Sequence, residues 1–194
     1  MTPAAVFYYD LGSPECYLAA ERTMTELPAV PEWEPVLASD VCRDDASLAP
    51  APEWDALSAG VDREALAARV ASAGLQPLRW PVGWPPDARR ALLAATYAKT
   101  IGRGVAFSLA AFRQAFAGGR DLADDRTILI AGAACEMHPA ALLRALETRS
   151  VRDSLVAACQ RARDAGVREL PAIAVGRRVL SGPDVVAQAA AALR

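Results

Sequence analysis

The feature that most constrains this chain is a run near its start, Val6-Phe7-Tyr8-Tyr9-Asp10-Leu11-Gly12-Ser13-Pro14-Glu15-Cys16-Tyr17. Residues 6–9 are β-branched or aromatic, which predicts a short buried strand. Ser13-Pro14 predicts a helix directly behind it, with serine as N-cap and proline at the first helical position, where a missing N–H costs nothing. A strand running straight into a helix points to an α/β architecture. The run also puts the Ser13 hydroxyl at a helix N-terminus and the Cys16 thiol in the first turn. Helix N-termini stabilise anions, so this placement suits holding or generating a thiolate.

The rest of the chain has three parts. The first helix should run over residues 14–27 and stop at Pro28 and Pro31. Residues 33–38 read as a second strand, with Trp33, Pro35 and Leu37 on one face; Pro35 favours a sheet edge or an early break. Residues 40–59 read as irregular, rich in proline and aspartate. Helices follow over residues 62–73, 88–101, 105–117, 126–137 and 139–147. Asp62, Asp87 and Asp125 read as helix-starting residues, and Gly74, Gly102 and Gly118-Gly119 as stops. His138, ahead of Pro139, reads as a capping or surface residue. No strand pattern interrupts this block. A helix over residues 151–165 then leads to a strand over 172–175, a Gly176-Arg177 turn, a hairpin partner over 178–180 and a final helix over 183–193. The order is β-α-β, helical block, α-β-β-α.

Composition removes several classes of function. The formal net charge of −2 over 194 residues invites neither nucleic acid nor an anionic membrane. No run of 18 apolar residues is present, so no membrane span is expected. The start of the chain lacks the pattern of a secretory signal, which makes the cytoplasm the expected compartment. The four cysteines, Cys16, Cys42, Cys135 and Cys159, form no CxxC pair, and with His138 as the one histidine no metal site is expected. Lys99 is the single lysine.

Four short motifs, in order, carry a resemblance across nearly the whole chain. They are Tyr9-Asp10-Leu11-Gly12-Ser13-Pro14-Glu15-Cys16-Tyr17-Leu18; Trp80-Pro81 with Trp84-Pro85-Pro86-Asp87; Gly166-Val167-Arg168-Glu169-Leu170-Pro171 running to Gly176; and Gly182-Pro183-Asp184. With the helical block between them, the chain resembles the DsbA-like superfamily, nearest to the kappa-class glutathione transferases and the 2-hydroxychromene-2-carboxylate isomerases. The resemblance implies an α/β thioredoxin-like fold made from residues 1–41 and 151–194, with an all-helical insertion at 42–150. It also implies that Ser13 hydrogen-bonds the thiolate of bound glutathione or another small thiol. Leu170-Pro171 would form a cis-proline loop facing the site, and Pro14, Gly182 and Asp184 would help hold the thiol compound. Asp10, Trp80, Trp84 and Asp87 would line a pocket for a small aromatic or electrophilic substrate, with Trp54 and Tyr97 further wall candidates. Relatives of this kind are often dimers, which leaves a homodimer open.

The chain departs from the family in places that touch the thiol pocket. Pro183 stands where kappa-class proteins carry a donor serine, Asp87 replaces an asparagine, and Glu169 a glycine. The insertion offers Arg43, Arg63 or Arg79 where those enzymes use a lysine. Dithiol oxidoreductases carry Cys-x-x-Cys; here Ser13 holds the attacking position and only Cys16 remains. Cys16 also reads simply as a small apolar core residue. Three functional readings follow: a thiol-dependent isomerase or transferase using Ser13, a thiol–disulfide oxidoreductase using Cys16, and a non-catalytic binding relative.

Overall fold

In a computed structural model, which describes residues 5–42 and 61–194, four strands form one sheet of order β2-β1-β3-β4. Strand β1, Ala5–Tyr9, lies at its centre. Helix α1, Pro14–Glu26, crosses back so that β2, Glu32–Pro35, runs parallel to β1 with Phe7 opposite Trp33. Strands β3, Ala172–Val175, and β4, Arg178–Ser181, form an antiparallel hairpin whose first strand pairs with β1. Pro35 ends β2 at a sheet edge, where no ladder bond is lost. The expected strand over 33–38 is therefore shorter. Its last residue instead opens helix α2, Ala38–Val41, because the Asp10 carboxylate accepts the Ala38 N–H at 2.8 Å.

The helical block contains α3 (Arg63–Ser72), α4 (Arg89–Thr100), α5 (Gly104–Phe116), α6 (Asp125–Ala133) and α7 (Pro139–Leu146). Helix α8, Arg149–Asp164, returns to the sheet, and α9, Val185–Ala192, closes the chain. Several helix starts sit one or two residues from their sequence expectation. Asp124, with extended backbone, caps α6 by accepting the Arg126 N–H at 2.9 Å, which leaves Asp125 inside the helix. Asp87 accepts the Arg89 N–H at 3.0 Å from one position ahead of the helix boundary at Ala88. Pro183 and Asp184 precede α9 because Gly182, at φ +91°, turns the chain after β4. His138 is exposed at the N-cap of α7, with no side-chain capping bond. Gly132 is glycine for space: a Cβ there would meet a Leu142 methyl at 2.6 Å, so α6 and α7 cross only because it is absent.

One hydrophobic core runs through the sheet and the helical block. Phe7, Tyr9 and Trp33 pack on one sheet face with ring centroids 5.0–5.4 Å apart, and Phe112 of α5 joins Tyr9 at 5.7 Å. The Tyr9 hydroxyl and Ser108 Oγ, buried 2.6 Å apart, tie the block to the central strand. A smaller cluster of Leu18, Leu66 and Val70 docks α3 on α1. On the opposite sheet face Glu34 is nearly buried and neutralised by Lys99 at 2.9 Å and Arg161 at 3.2 Å; Lys99 also holds Glu32 at 2.8 Å. Among the described residues no helix is long and apolar enough to cross a membrane.

Candidate active site

The site grows out of the link between β1 and α1. Asp10 ends the strand fully buried, and its carboxylate accepts the Gly12 N–H and the Ala38 N–H, each at 2.8 Å. That one side chain shapes the active loop and pins α2 beside it. Removal from water pushes its carboxyl up to about 6, against the pull of the two N–H bonds and of Arg89. Ser13 follows as the N-cap of α1, 5 % exposed, its Oγ accepting the Cys16 N–H at 3.2 Å. The Ser13 hydroxyl beside it favours a thiolate at Cys16. Complete burial outweighs this and pushes that thiol strongly up. Cys16 is thus held as a neutral thiol in the core, with Ser13 covering it.

The Leu170–Pro171 peptide bond is cis, as is Trp84–Pro85. Pro171 is buried and Leu170 half-buried. What faces this loop is a residue the sequence did not single out. Cys42, at the C-terminal end of α2, lies beside the backbone of Leu170, whose polar groups favour its thiolate. Burial, with the charges of Asp10 and Glu169, pushes the Cys42 thiol up to about 12, and Cys42 lies close enough to Cys16 to raise the cost of ionising that thiol. Nothing in the local pattern around Cys42 announces this, since its neighbours come from β1, α1 and the loop before β3. Ser13, Cys16, Cys42, Leu170 and Asp10 therefore form one cluster drawn from three chain segments.

The other candidates divide. The Trp84 indole donates to the Gly12 carbonyl at 3.3 Å, which ties the Trp80-to-Asp87 loop to the active loop. Trp80 meets Trp84 edge-on at 4.8 Å, and the Arg63 guanidinium lies 4.3 Å from the Trp80 ring and 5.3 Å from Trp84. This half-exposed wall stands beside Ser13. Asp87 is exposed and close enough to Asp10 to raise its carboxyl slightly. Asp184 lines a cavity of about 350 Å³ with Arg22 and Arg69. Arg69 also forms a clamp, donating to both Glu15 oxygens at 2.8 Å and to the Pro183 carbonyl at 3.0 Å. Gly182 sits 3.9 Å, as a Cβ would measure it, from Glu169, whose other oxygen accepts from Ser181 at 3.0 Å. Tyr97 lines a separate cavity with α7 and α8 rather than this wall. Arg43 and Trp54 lie outside the described residues, and Arg79 is exposed. No group of three metal-ligating side chains exists among the described residues.

Comparison with known structures decides the fold. A 2-hydroxychromene-2-carboxylate isomerase superposes with a TM-score of 0.81 at 16 % identity, covering 97 % of this chain and 93 % of the other. The fold is DsbA-like thioredoxin. A probable DsbA oxidoreductase from Streptomyces coelicolor gives 0.74 at 20 % identity, over 98 % of this chain and 88 % of that one. The cytosolic disulfide reductase DsbM from Pseudomonas aeruginosa, solved with glutathione, gives 0.58 at 16 % identity over 94 % and 95 %. No protein-family model and no curated protein matches the chain. The fold neighbours thus span two chemistries, isomerisation and thiol–disulfide exchange.

Proposed function

We propose that this chain is a thiol-dependent isomerase or transferase of small aromatic or electrophilic compounds. The observation that carries the reading is the serine N-cap at Ser13, in the position where a dithiol oxidoreductase needs its attacking cysteine, with the remaining Cys16 buried and held neutral. A site for another molecule's sulfur needs donors, and the cluster offers the Ser13 hydroxyl, the Glu15 N–H in the first turn of α1, and the backbone of Leu170 beside the Cys42 thiol. These residues suit glutathione's sulfur better than its γ-glutamyl end, since Pro183 offers no donor and its carbonyl is taken by Arg69. When bound, the thiol supplies a nucleophile that adds reversibly across an activated double bond, permits rotation and leaves again. Ser13 and the helix N-terminus stabilise sulfur as anion on arrival and departure. Trp80 and Trp84 offer flat apolar faces for an aromatic substrate, and Asp10 fixes the loop that aims Ser13. The cytoplasm, where small thiols are reduced, is the compartment this chemistry requires.

The test is to incubate the protein with 2-hydroxychromene-2-carboxylate, with and without glutathione, and follow the ultraviolet spectrum. Thiol-dependent isomerisation that disappears in Ser13→Ala is expected; no turnover with any thiol would end the reading. A second reading rests on Cys42 beside Cys16: two thiols in one cluster can serve disulfide exchange without a Cys-x-x-Cys motif. Insulin reduction that is lost in Cys42→Ser would favour that reading.

A further inference from the structure

A cavity of about 530 Å³ lies away from the cluster above, between α1, the chain that follows α3 and the C-terminal half of α5. Its walls include Tyr17, Glu21, Gln76, Arg113 and Gln114, with Leu75 as an apolar patch. Tyr17 sits one turn beyond Ser13, its N–H bonded to the Ser13 carbonyl at 3.1 Å, and is only 2 % exposed. The ring is fixed against Phe116 at 5.8 Å and Phe112 at 6.2 Å. Its hydroxyl bonds to no described residue and is not sealed from solvent, so it is free to meet a ligand. The phenol is also pushed up, by burial first and then by Glu21, so it stays a neutral donor.

The charges beside it are matched but not exhausted. Arg113 donates Nε to Glu21 at 2.6 Å and Nη2 at 2.8 Å, leaving Nη1 without a described acceptor. Each Glu21 oxygen accepts one of these bonds and retains a lone pair. The carboxamides of Gln76 and Gln114 bond to no described residue. Donors and acceptors of both signs thus converge on one cavity with no net charge, in the size range of small-ligand sites.

We propose that this cleft is a second binding site, for a small zwitterion of amino-acid or dipeptide size. The ligand's carboxylate takes Arg113 Nη1, its ammonium the outer face of Glu21, and its peptide or polar centre the Tyr17 hydroxyl and the two glutamine amides. The Glu21–Arg113 pair stays closed, so binding needs no charge to be unpaired. The inference does not rest on the function proposed above.

The test is calorimetric titration of the full chain with glycylglycine, with N-acetylglycine and glycinamide as single-charge controls. Saturable binding is expected for glycylglycine below about 10 mM, at least several-fold tighter than for either control. Tyr17→Phe, which keeps the ring packing, should weaken it several-fold, as should Gln114→Ala on the helix surface, while Ser13→Ala should leave it unchanged. No saturation, equal binding of the controls, equal binding in both cleft variants, or loss in Ser13→Ala would each overturn the assignment. Gln114→Ala decides the matter even if Tyr17→Phe folds poorly.

Discussion

The two sides of the candidate active site are built on opposite principles. On the side of β1 and α1, polar groups are buried and bonded at fixed distances: Asp10 to two backbone N–H groups, Ser13 to Cys16. On the insertion side, Trp80, Trp84 and Arg63 are partly exposed and held by ring contacts and a single indole hydrogen bond. The first kind of construction fixes one atom in space, because each buried bond would cost several times its worth to break. The second can shift around a ligand, because stacking tolerates sliding. A site with a rigid anion holder and an adjustable aromatic wall can keep one reaction while changing its substrate.

The contrast makes graded predictions. Ser13→Ala should lower thiol-dependent turnover about a hundredfold, the usual effect of losing one donor to a developing anion, with a folding midpoint close to wild type in a denaturant titration. Asp10→Ala should cost on the order of 2–3 kcal/mol of stability by leaving two buried N–H groups unpaired, read from the same titration. Asp10 also has a pH signature. Its carboxyl in the folded chain is raised from 3.8 to about 6, so its contribution to stability is full below about 4 and is lost as pH rises to about 6. Thermal midpoints measured across that window should fall with pH, and Asp10→Asn should flatten the fall; an unchanged slope would remove Asp10 as its source. Trp84→Ala should raise the substrate KM roughly tenfold with little change in kcat, as expected when a wall rather than the chemistry is altered. Arg63→Gln should change KM by only about twofold to fivefold, the scale of an exposed cation over a ring. Equal losses at Trp84 and Ser13 would erase the distinction between the two sides.

Most of the fold was legible because its signals are local. The apolar run ahead of Ser13-Pro14, the Gly176-Arg177 turn and the aspartates ahead of the helices act within a few residues. Helix starts slipped where two candidates sat side by side, as at Asp124 and Asp125, since only backbone geometry chooses between adjacent aspartates. The site was half legible. Ser13 reveals itself through the helix that it caps. Cys42 does not, because its partner at Leu170 is 128 positions away in sequence and is brought near only by pairing of β1 with β3. Glu34 was equally hidden: an alternating strand predicts which face a residue takes, not that Lys99 and Arg161 will neutralise a carboxylate there. The clamp of Arg69 on Glu15 and Pro183 likewise joins three segments distant in sequence, so no local pattern announces it.

The pairing of Lys99 with two glutamates on the edge strand has a practical consequence. The chain has one lysine, so an amine-reactive reagent meets one ε-amine, apart from the α-amine at its start. That amine is neutralised by Glu32 and Glu34 as long as β2 stays in place. The rate of its reductive methylation is therefore a built-in reporter of edge-strand fraying, readable by mass alone and independent of any substrate.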